Sequence, residues 1–150
     1  MLVPVLAHII DLLYDHIGIK TAQCFRGEFF MIQPILACEN PYALAKDFEN
    51  AGWNIDYSQP PESGDPLVGV SLLDNSILLG ITSGYVSECD IPFIGCGVEL
   101  YLTVPKEEIE AIHRNHQRFH PTDIVMKPWG DHTFKVVIGP FKLMIASHQD

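Results

Sequence analysis

The sequence predicts an α+β domain of two β-α-β-β-β modules, which form paired curved mixed sheets around a cleft. Prolines that open helices recur at Pro41 and Pro105, and hairpin turns begin with nearly the same separation at Asp74 and Gly139. Such internal repetition is typical of a duplicated unit. A second observation is the turn 128–130, where proline and glycine flank a tryptophan between two runs of strand-forming residues.

The first module is predicted over about residues 29–83. Its first strand spans 29–38, and Asn40 then caps a short helix that starts at Pro41 and stops at Gly52. The remaining strands of this module are predicted at 53–58, 67–73 and 76–82, with Asp74-Asn75 as the turn of the hairpin.

The second module is predicted over about residues 97–148. In its first strand, 97–104, apolar side chains alternate with polar ones, so that Glu99, Tyr101 and Thr103 share one face. A helix is predicted to open at Pro105, and its inner face comprises Ile109, Ile112, His116 and Phe119. Three strands complete the unit, the last from Phe141 to Ser147.

Residues 1–28 precede both modules and are predicted to form a helical extension. Apolar residues recur at spacings of three and four over 3–17, which is typical of an amphipathic helix. We expect this apolar stripe to pack on the domain 29–150 or on a partner subunit; the alternative is that it is the remnant of a connection to another domain.

Composition excludes several classes of protein. The formal charge of −10 disfavours a nucleic-acid surface, which needs clustered lysine and arginine. No apolar stretch is long enough for a membrane span, and the N-terminus lacks a basic signal region, so a cytoplasmic protein is predicted. The four cysteines form no CxxC pair, which predicts reduced and mostly buried thiols.

The paired modules and the run Pro-Trp-Gly-Asp-His-Thr-Phe at 128–134 carry a resemblance. Over about residues 29–148 the chain resembles the vicinal oxygen chelate superfamily, which includes glyoxalases, extradiol dioxygenases and bleomycin-resistance proteins. Its character is closest to the metal-free bleomycin-resistance-like members. The last hairpin departs from the family pattern, because it reads Ile-Gly-Pro-Phe at 138–141. The resemblance implies a homodimer.

The resemblance also implies where metal ligands would lie. The four ligand positions of the family fall on Gln33, Gly80, Glu99 and Met144. Glycine has no ligating group and a thioether suits a hard divalent ion poorly, so no metal cofactor is predicted. The triplet His113, His116 and His120 has helical spacing, but an imidazole in an apolar stripe is more often a satisfied core residue than a ligand.

The predicted function is binding of a small, planar or cationic organic molecule in the cleft between the sheets, without a metal. Glu99 is predicted to be the one acidic residue in the cleft and to pair with a cationic group of the ligand. Two alternatives stay open: a degenerate glyoxalase-type lyase or dioxygenase using zinc, nickel or iron, and the ligand-sensing module of a transcriptional regulator. No catalytic residue is assigned, and the predicted ligand-binding residues are Gln33, Ile35, Leu78, Glu99, Tyr101, Thr103, Trp129, Phe134 and Met144.

Overall fold

The structure, a computed structural model, describes residues 33–148 of the 150-residue chain. The predicted extension 1–28 and the start of the first predicted strand lie outside the described residues. No helix in the described part is long and apolar enough to cross a membrane.

The first module is a four-stranded mixed sheet with one helix. Its strands lie in the order β1-β4-β3-β2; β1 and β4 are parallel, and the other neighbours are antiparallel. In chain order the elements are β1 (Ile35–Cys38), α1 (Pro41–Asn50), β2 (Asn54–Ser58), β3 (Leu67–Leu72) and β4 (Asn75–Ile81).

The second module repeats this arrangement. Its strands lie in the order β5-β8-β7-β6, again with one parallel pair, β5 with β8. The elements are β5 (Glu99–Thr103), α2 (Ile109–Asn115), β6 (Val125–Met126), β7 (His132–Ile138) and β8 (Phe141–Ser147). The predicted fold class, two β-α-β-β-β modules with mixed sheets, is therefore confirmed.

Helix α1 starts as the sequence predicts. The Asn40 side chain accepts a hydrogen bond from the backbone N–H of Ala43 at 3.0 Å, and Pro41 occupies the first turn, where its missing N–H costs nothing. Gly52 follows the helix with a φ of 88°, a backbone conformation that glycine adopts without strain.

Helix α2 begins at Ile109 rather than at Pro105, and the prediction of its start was wrong. The residues between them form a turn, closed by a hydrogen bond from the Glu108 N–H to the Pro105 carbonyl at 3.0 Å. The predicted Asp74-Asn75 turn is also shifted by one residue. Asn75 already belongs to β4, and its side-chain amide donates to the carbonyl of Thr103 in the other module at 2.9 Å.

A single cluster of buried apolar side chains includes residues from both sheets and both helices. The modules also meet through a hydrogen bond from the Trp53 indole N–H to His116 Nε2, which spans 3.2 Å between two buried side chains. Leu44 of α1 lies so close to Gly139 in the turn between β7 and β8 that a Cβ there would come within 2.6 Å of it. The helix side of each sheet is thus its core side.

The prediction that most cysteines are buried holds for Cys38 alone among the described thiols. Burial raises the pKa of Cys38 to about 11, which keeps this thiol protonated and unreactive. Cys89 and Cys96 are exposed, because they lie in the irregular segment between the modules.

Candidate functional site

The face of each sheet that points away from its helix is called here its outer face. In the first sheet, alternation along the strands places Ile35 on the outer face, where it lies directly opposite Leu78 of the neighbouring strand. Gln33 lies just before β1, and its side-chain amide donates to the Ser76 hydroxyl at 2.8 Å. These three predicted residues therefore form one group.

In the second sheet, the outer face carries the predicted residues Glu99, Tyr101, Thr103 and Met144. Met144 of β8 is the register partner of Tyr101 on one side and of Lys135 on the other. These three side chains form a row across the sheet: a phenol, a thioether and an ammonium. Tyr101 is 47% exposed and so is open to a ligand.

The predicted cleft residues form two groups, one on each sheet. Within residues 33–148, no hydrogen bond, ion pair or aromatic contact joins the first-sheet group to the second-sheet group. The modules meet through the bond from Trp53 to His116 on the helix side and through the bond from Asn75 to the Thr103 carbonyl. We therefore treat the outer face of the second sheet as a site in itself, because it holds more of the polar and aromatic side chains.

The placement of Phe134 at the rim of the cleft was wrong. Strand β7 already begins at His132, so Phe134 lies inside the sheet rather than in the turn, and it is on the helix side. Its ring is fully buried and makes edge-to-face contacts with His113 at 4.9 Å and His116 at 5.8 Å between ring centroids.

Trp129 lies beside the second-sheet group, as part of a polar cluster centred on Asp131. The Trp129 indole N–H donates to Asp131 Oδ2 at 3.0 Å, and the Tyr101 hydroxyl donates to the same oxygen. The other oxygen, Oδ1, lies 2.7 Å from His148 Nδ1. One carboxylate is thus held by three side chains from different parts of the chain.

Electrostatics fix the protonation states of this cluster. The hydrogen bonds from Tyr101 and then His148 lower the pKa of Asp131, so the carboxylate is charged at neutral pH. Burial and the contact with Asp131 both raise the pKa of Tyr101, so its phenol remains a donor. The outer face of the second sheet therefore presents an anion between two partly exposed aromatic rings.

Sequence reasoning missed Asp131 and His148. The signal for Asp131 was its position two residues after Trp129, which puts its carboxylate within reach of the indole N–H. His148 follows β8 and lies across from Asp131 because Ser147 pairs with His132, and this register is invisible in the sequence.

Glu99 differs from its predicted role in two respects. It lies on the outer face as expected, but it is not the only acidic residue near that face, and the chain itself supplies its cation. Lys135 Nζ lies 2.7 Å from Glu99 Oε1. A ligand would have to compete with this lysine for the Glu99 carboxylate.

The residues at the four family ligand positions do not fit a metal ion. Gly80 offers no ligating atom, and the ring of Tyr85 covers it so closely that an added Cβ would lie 2.5 Å from the ring. Met144 brings a thioether, and Glu99 is engaged by Lys135. Within the described part of the chain, no group of three histidine, cysteine, aspartate or glutamate side chains is placed to hold a metal ion.

The histidine triplet of the sequence does not converge on a site either. His116 is fully buried and satisfied, as predicted: Nδ1 lies 2.7 Å from the Ile112 carbonyl and Nε2 accepts from Trp53. His113 Nε2 lies 3.0 Å from the Thr122 carbonyl, and His120 is exposed.

Comparison with solved structures identifies the fold. No protein-family model matches the sequence, and no curated protein does. A bleomycin-binding protein complexed with bleomycin matches with a TM-score of 0.57 and 10% identity, over 81% of this chain and 100% of that one. A lactoylglutathione lyase from Agrobacterium tumefaciens matches with a TM-score of 0.54 and 12% identity, over 80% and 95% of the two chains.

A fosfomycin resistance protein from Listeria monocytogenes, in a complex with Mn(II), matches with a TM-score of 0.57 and 8% identity, over 79% of this chain and 92% of that one. Identities this low establish the fold alone. The fold that the sequence predicted is confirmed by these similarities.

Proposed function

We propose that this domain, which has the fold of the vicinal oxygen chelate superfamily, binds a small organic molecule with a planar, positively charged group and needs no metal to do so. The observation that carries the proposal is the Asp131 carboxylate, which is charged and lies between the partly exposed rings of Tyr101 and Trp129. Its place is the outer face of the second sheet.

The chemistry of this face suits such a ligand. Aromatic rings contact flat apolar surfaces well, and the negative face of an indole attracts cations. A carboxylate at the edge of these rings adds a charge-assisted hydrogen bond, which is about twice as strong as a neutral one. The surplus of acidic residues, 19 against 9 basic ones, favours approach of a cation from solution.

One of the similar structures supports the same class of ligand. It is a bleomycin-binding protein, and its structure contains bleomycin. Bleomycin is therefore a reasonable first compound for this chain, together with smaller planar cations.

We predict that a planar cation changes the fluorescence of Trp129 on binding. Trp129 is 58% exposed and Trp53 is buried, so a ligand on the outer face should alter the emission of the former. Tyr101→Ala should weaken binding by about tenfold, since it removes one aromatic wall and a donor to Asp131, while Tyr101→Phe should lose less. The measurement is a fluorescence titration with bleomycin and with smaller planar cations.

Trp129→Phe is the control, because it should abolish the signal change and leave binding measurable by calorimetry. If neither bleomycin nor any smaller planar cation binds to the wild type, the proposed function is wrong.

We also predict that the protein does not retain a stoichiometric metal ion. Gly80 and Met144 leave two of the four family ligand positions without a suitable donor, and about three protein ligands are needed to hold a catalytic ion. The measurement is elemental analysis after loading with Zn²⁺, Ni²⁺ or Fe²⁺ and dialysis. About one retained ion per chain, lost in Gln33→Ala and Glu99→Ala, would favour the metal-dependent lyase or dioxygenase instead.

Two further expectations remain predictions. The homodimer rests on the family resemblance and on the apolar stripe 3–17, which lies outside the described residues. A sensing role would be favoured by binding of a regulatory partner that depends on the ligand, and it uses the same site.

A further inference from the structure

Two carboxylates are candidates for the ligand's cationic group, and their surroundings differ. Glu99 forms a 2.7 Å ion pair with Lys135, a side chain on the neighbouring outer-face row. Asp131 has no lysine or arginine within ion-pair distance among the described residues; its partners are Tyr101, Trp129 and His148. A ligand cation at Glu99 must displace an ammonium, whereas at Asp131 it must displace an imidazole.

The two oxygens of Asp131 are not equivalent. Oδ2 receives two donors, the hydroxyl of Tyr101 on β5 and the indole of Trp129, and both keep the carboxylate in place. Oδ1 receives only His148, which follows the last strand and has a side chain that is 70% exposed. The Asp131 side chain itself is 14% exposed, so Oδ1 is reached by moving His148 rather than by rearranging the sheet.

Two basic side chains of the chain itself lie at this cluster. His148 lies on Oδ1, and Lys127 Nζ lies 6.0 Å above the centre of the Trp129 ring. Both sites are the ones that a planar cation would use, a carboxylate oxygen and an indole face. The cluster therefore already has one basic side chain on its carboxylate and another over its indole ring.

We infer that Asp131 is the anchor for the ligand's cationic group and that His148 is exchanged for that group on Oδ1. This inference rests on the proposed function and names its recognition chemistry: an amidinium, guanidinium or primary ammonium attached to a flat ring. The ring lies against Tyr101 and Trp129, and one N–H of the cation replaces the His148 N–H on the carboxylate. Tyr101 and Trp129 keep their bonds to Oδ2 throughout.

The test compares benzamidine with benzamide, a neutral amide of nearly the same shape. Wild type should bind benzamidine more tightly than benzamide. Asp131→Asn, which keeps the shape and removes the charge, should weaken benzamidine binding by about ten- to a hundredfold. Glu99→Gln should cost less than Asp131→Asn does, and His148→Ala should leave the affinity equal or raise it, because it removes the competing donor.

A direct probe of the exchange is the NMR signal of the His148 ring protons during titration with benzamidine. Saturating benzamidine should shift these signals in the wild type and should shift them much less in Asp131→Asn. The control variant is Glu110→Gln, which removes one negative charge on an exposed face of α2 and should not affect binding. Circular dichroism confirms that each variant is folded.

Benzamidine binding that survives Asp131→Asn, that depends more on Glu99, or that leaves the His148 signals unmoved would overturn the inference while the proposed function stands. An absence of saturable benzamidine binding up to about 10 mM would also overturn it, since a charge-assisted contact should give at least millimolar affinity. The titrations with bleomycin and larger planar cations then decide separately whether the proposed function falls too.

Discussion

Replacing Phe134 with alanine is expected to lower the free energy of unfolding by about 3–5 kcal/mol, because it leaves a cavity in a core position. The Phe134 ring is fully buried and packs edge-on against His113 and His116, which belong to α2 and its C-terminal end. Its loss removes apolar contact and two aromatic contacts from the junction between β7 and α2. The measurement is urea-induced unfolding followed by circular dichroism.

Val137→Ala on the same strand is the matched control. Val137 is half exposed on the outer face, so its truncation should cost less than about 1 kcal/mol. Phe134→Leu should fold, lose less stability than the alanine variant and retain ligand binding, because the ring does not reach the outer face. A stable Phe134→Ala variant with weakened ligand binding would contradict the core position and would favour the predicted position at the rim of the cleft.

Much of the fold could be predicted because it follows from local patterns. Alternation in β5 separates buried Leu102 from the outer-face residues Tyr101 and Thr103, as the sequence indicates. The cap at Asn40 and the extent of the last strand, Phe141–Ser147, agree with the prediction for the same reason. Each depends on residues close together in the chain.

The site could be predicted only in part, because its centre depends on contacts between distant residues. Tyr101 and Asp131 are 30 positions apart in the chain and meet through the register of β5, β8 and β7. The ion pair of Glu99 with Lys135 also depends on strand register, because Glu99 is on β5 and Lys135 is on β7, the two strands on either side of β8. Phe134 was misplaced because β7 begins two residues before it, which puts the ring inside the sheet and on its helix side.

Strand β7 links the candidate site to the core. Lys135 and Val137 lie on the outer face, while Phe134 and Val136 are buried against the helix side. A substitution on one face of β7 can therefore shift the backbone that positions the side chains on the other face. His116 contacts the ring of Phe134 and is fully buried, so its protonation tests the core side of this strand.

Stability should fall as the pH is lowered below about 6.5, and His116 should account for a distinct part of that fall. The neutral ring satisfies both of its neighbours in one tautomer: Nδ1–H donates to the Ile112 carbonyl at 2.7 Å, and Nε2 accepts from the Trp53 N–H at 3.2 Å. Protonation places a second N–H against that of Trp53. Burial, opposed by the Ile112 contact and aided by the neighbouring His113, lowers the pKa of His116.

The direction in which stability changes with pH follows from this lowered pKa. The unfolded chain binds a proton at His116 more readily than the native protein does, so stability is complete above the unfolded pKa of about 6.5 and is lost as the pH falls towards the folded pKa. One such group contributes a slope of up to about 1.4 kcal/mol per pH unit. Carboxylates with lowered pKa, such as Asp131, lose their contribution only at more acid pH.

The measurement is the free energy of unfolding between pH 8 and pH 5, for wild type and for His116→Gln. The variant should be less stable at pH 8 by about 1–3 kcal/mol, because its amide cannot satisfy Trp53 and Ile112 with the same geometry, and its slope below pH 6.5 should be smaller than that of the wild type. His120→Gln is the matched control, since it removes a histidine that is exposed. Equal slopes for wild type and His116→Gln would mean that the buried imidazole and its hydrogen bond from Trp53 do not resist protonation.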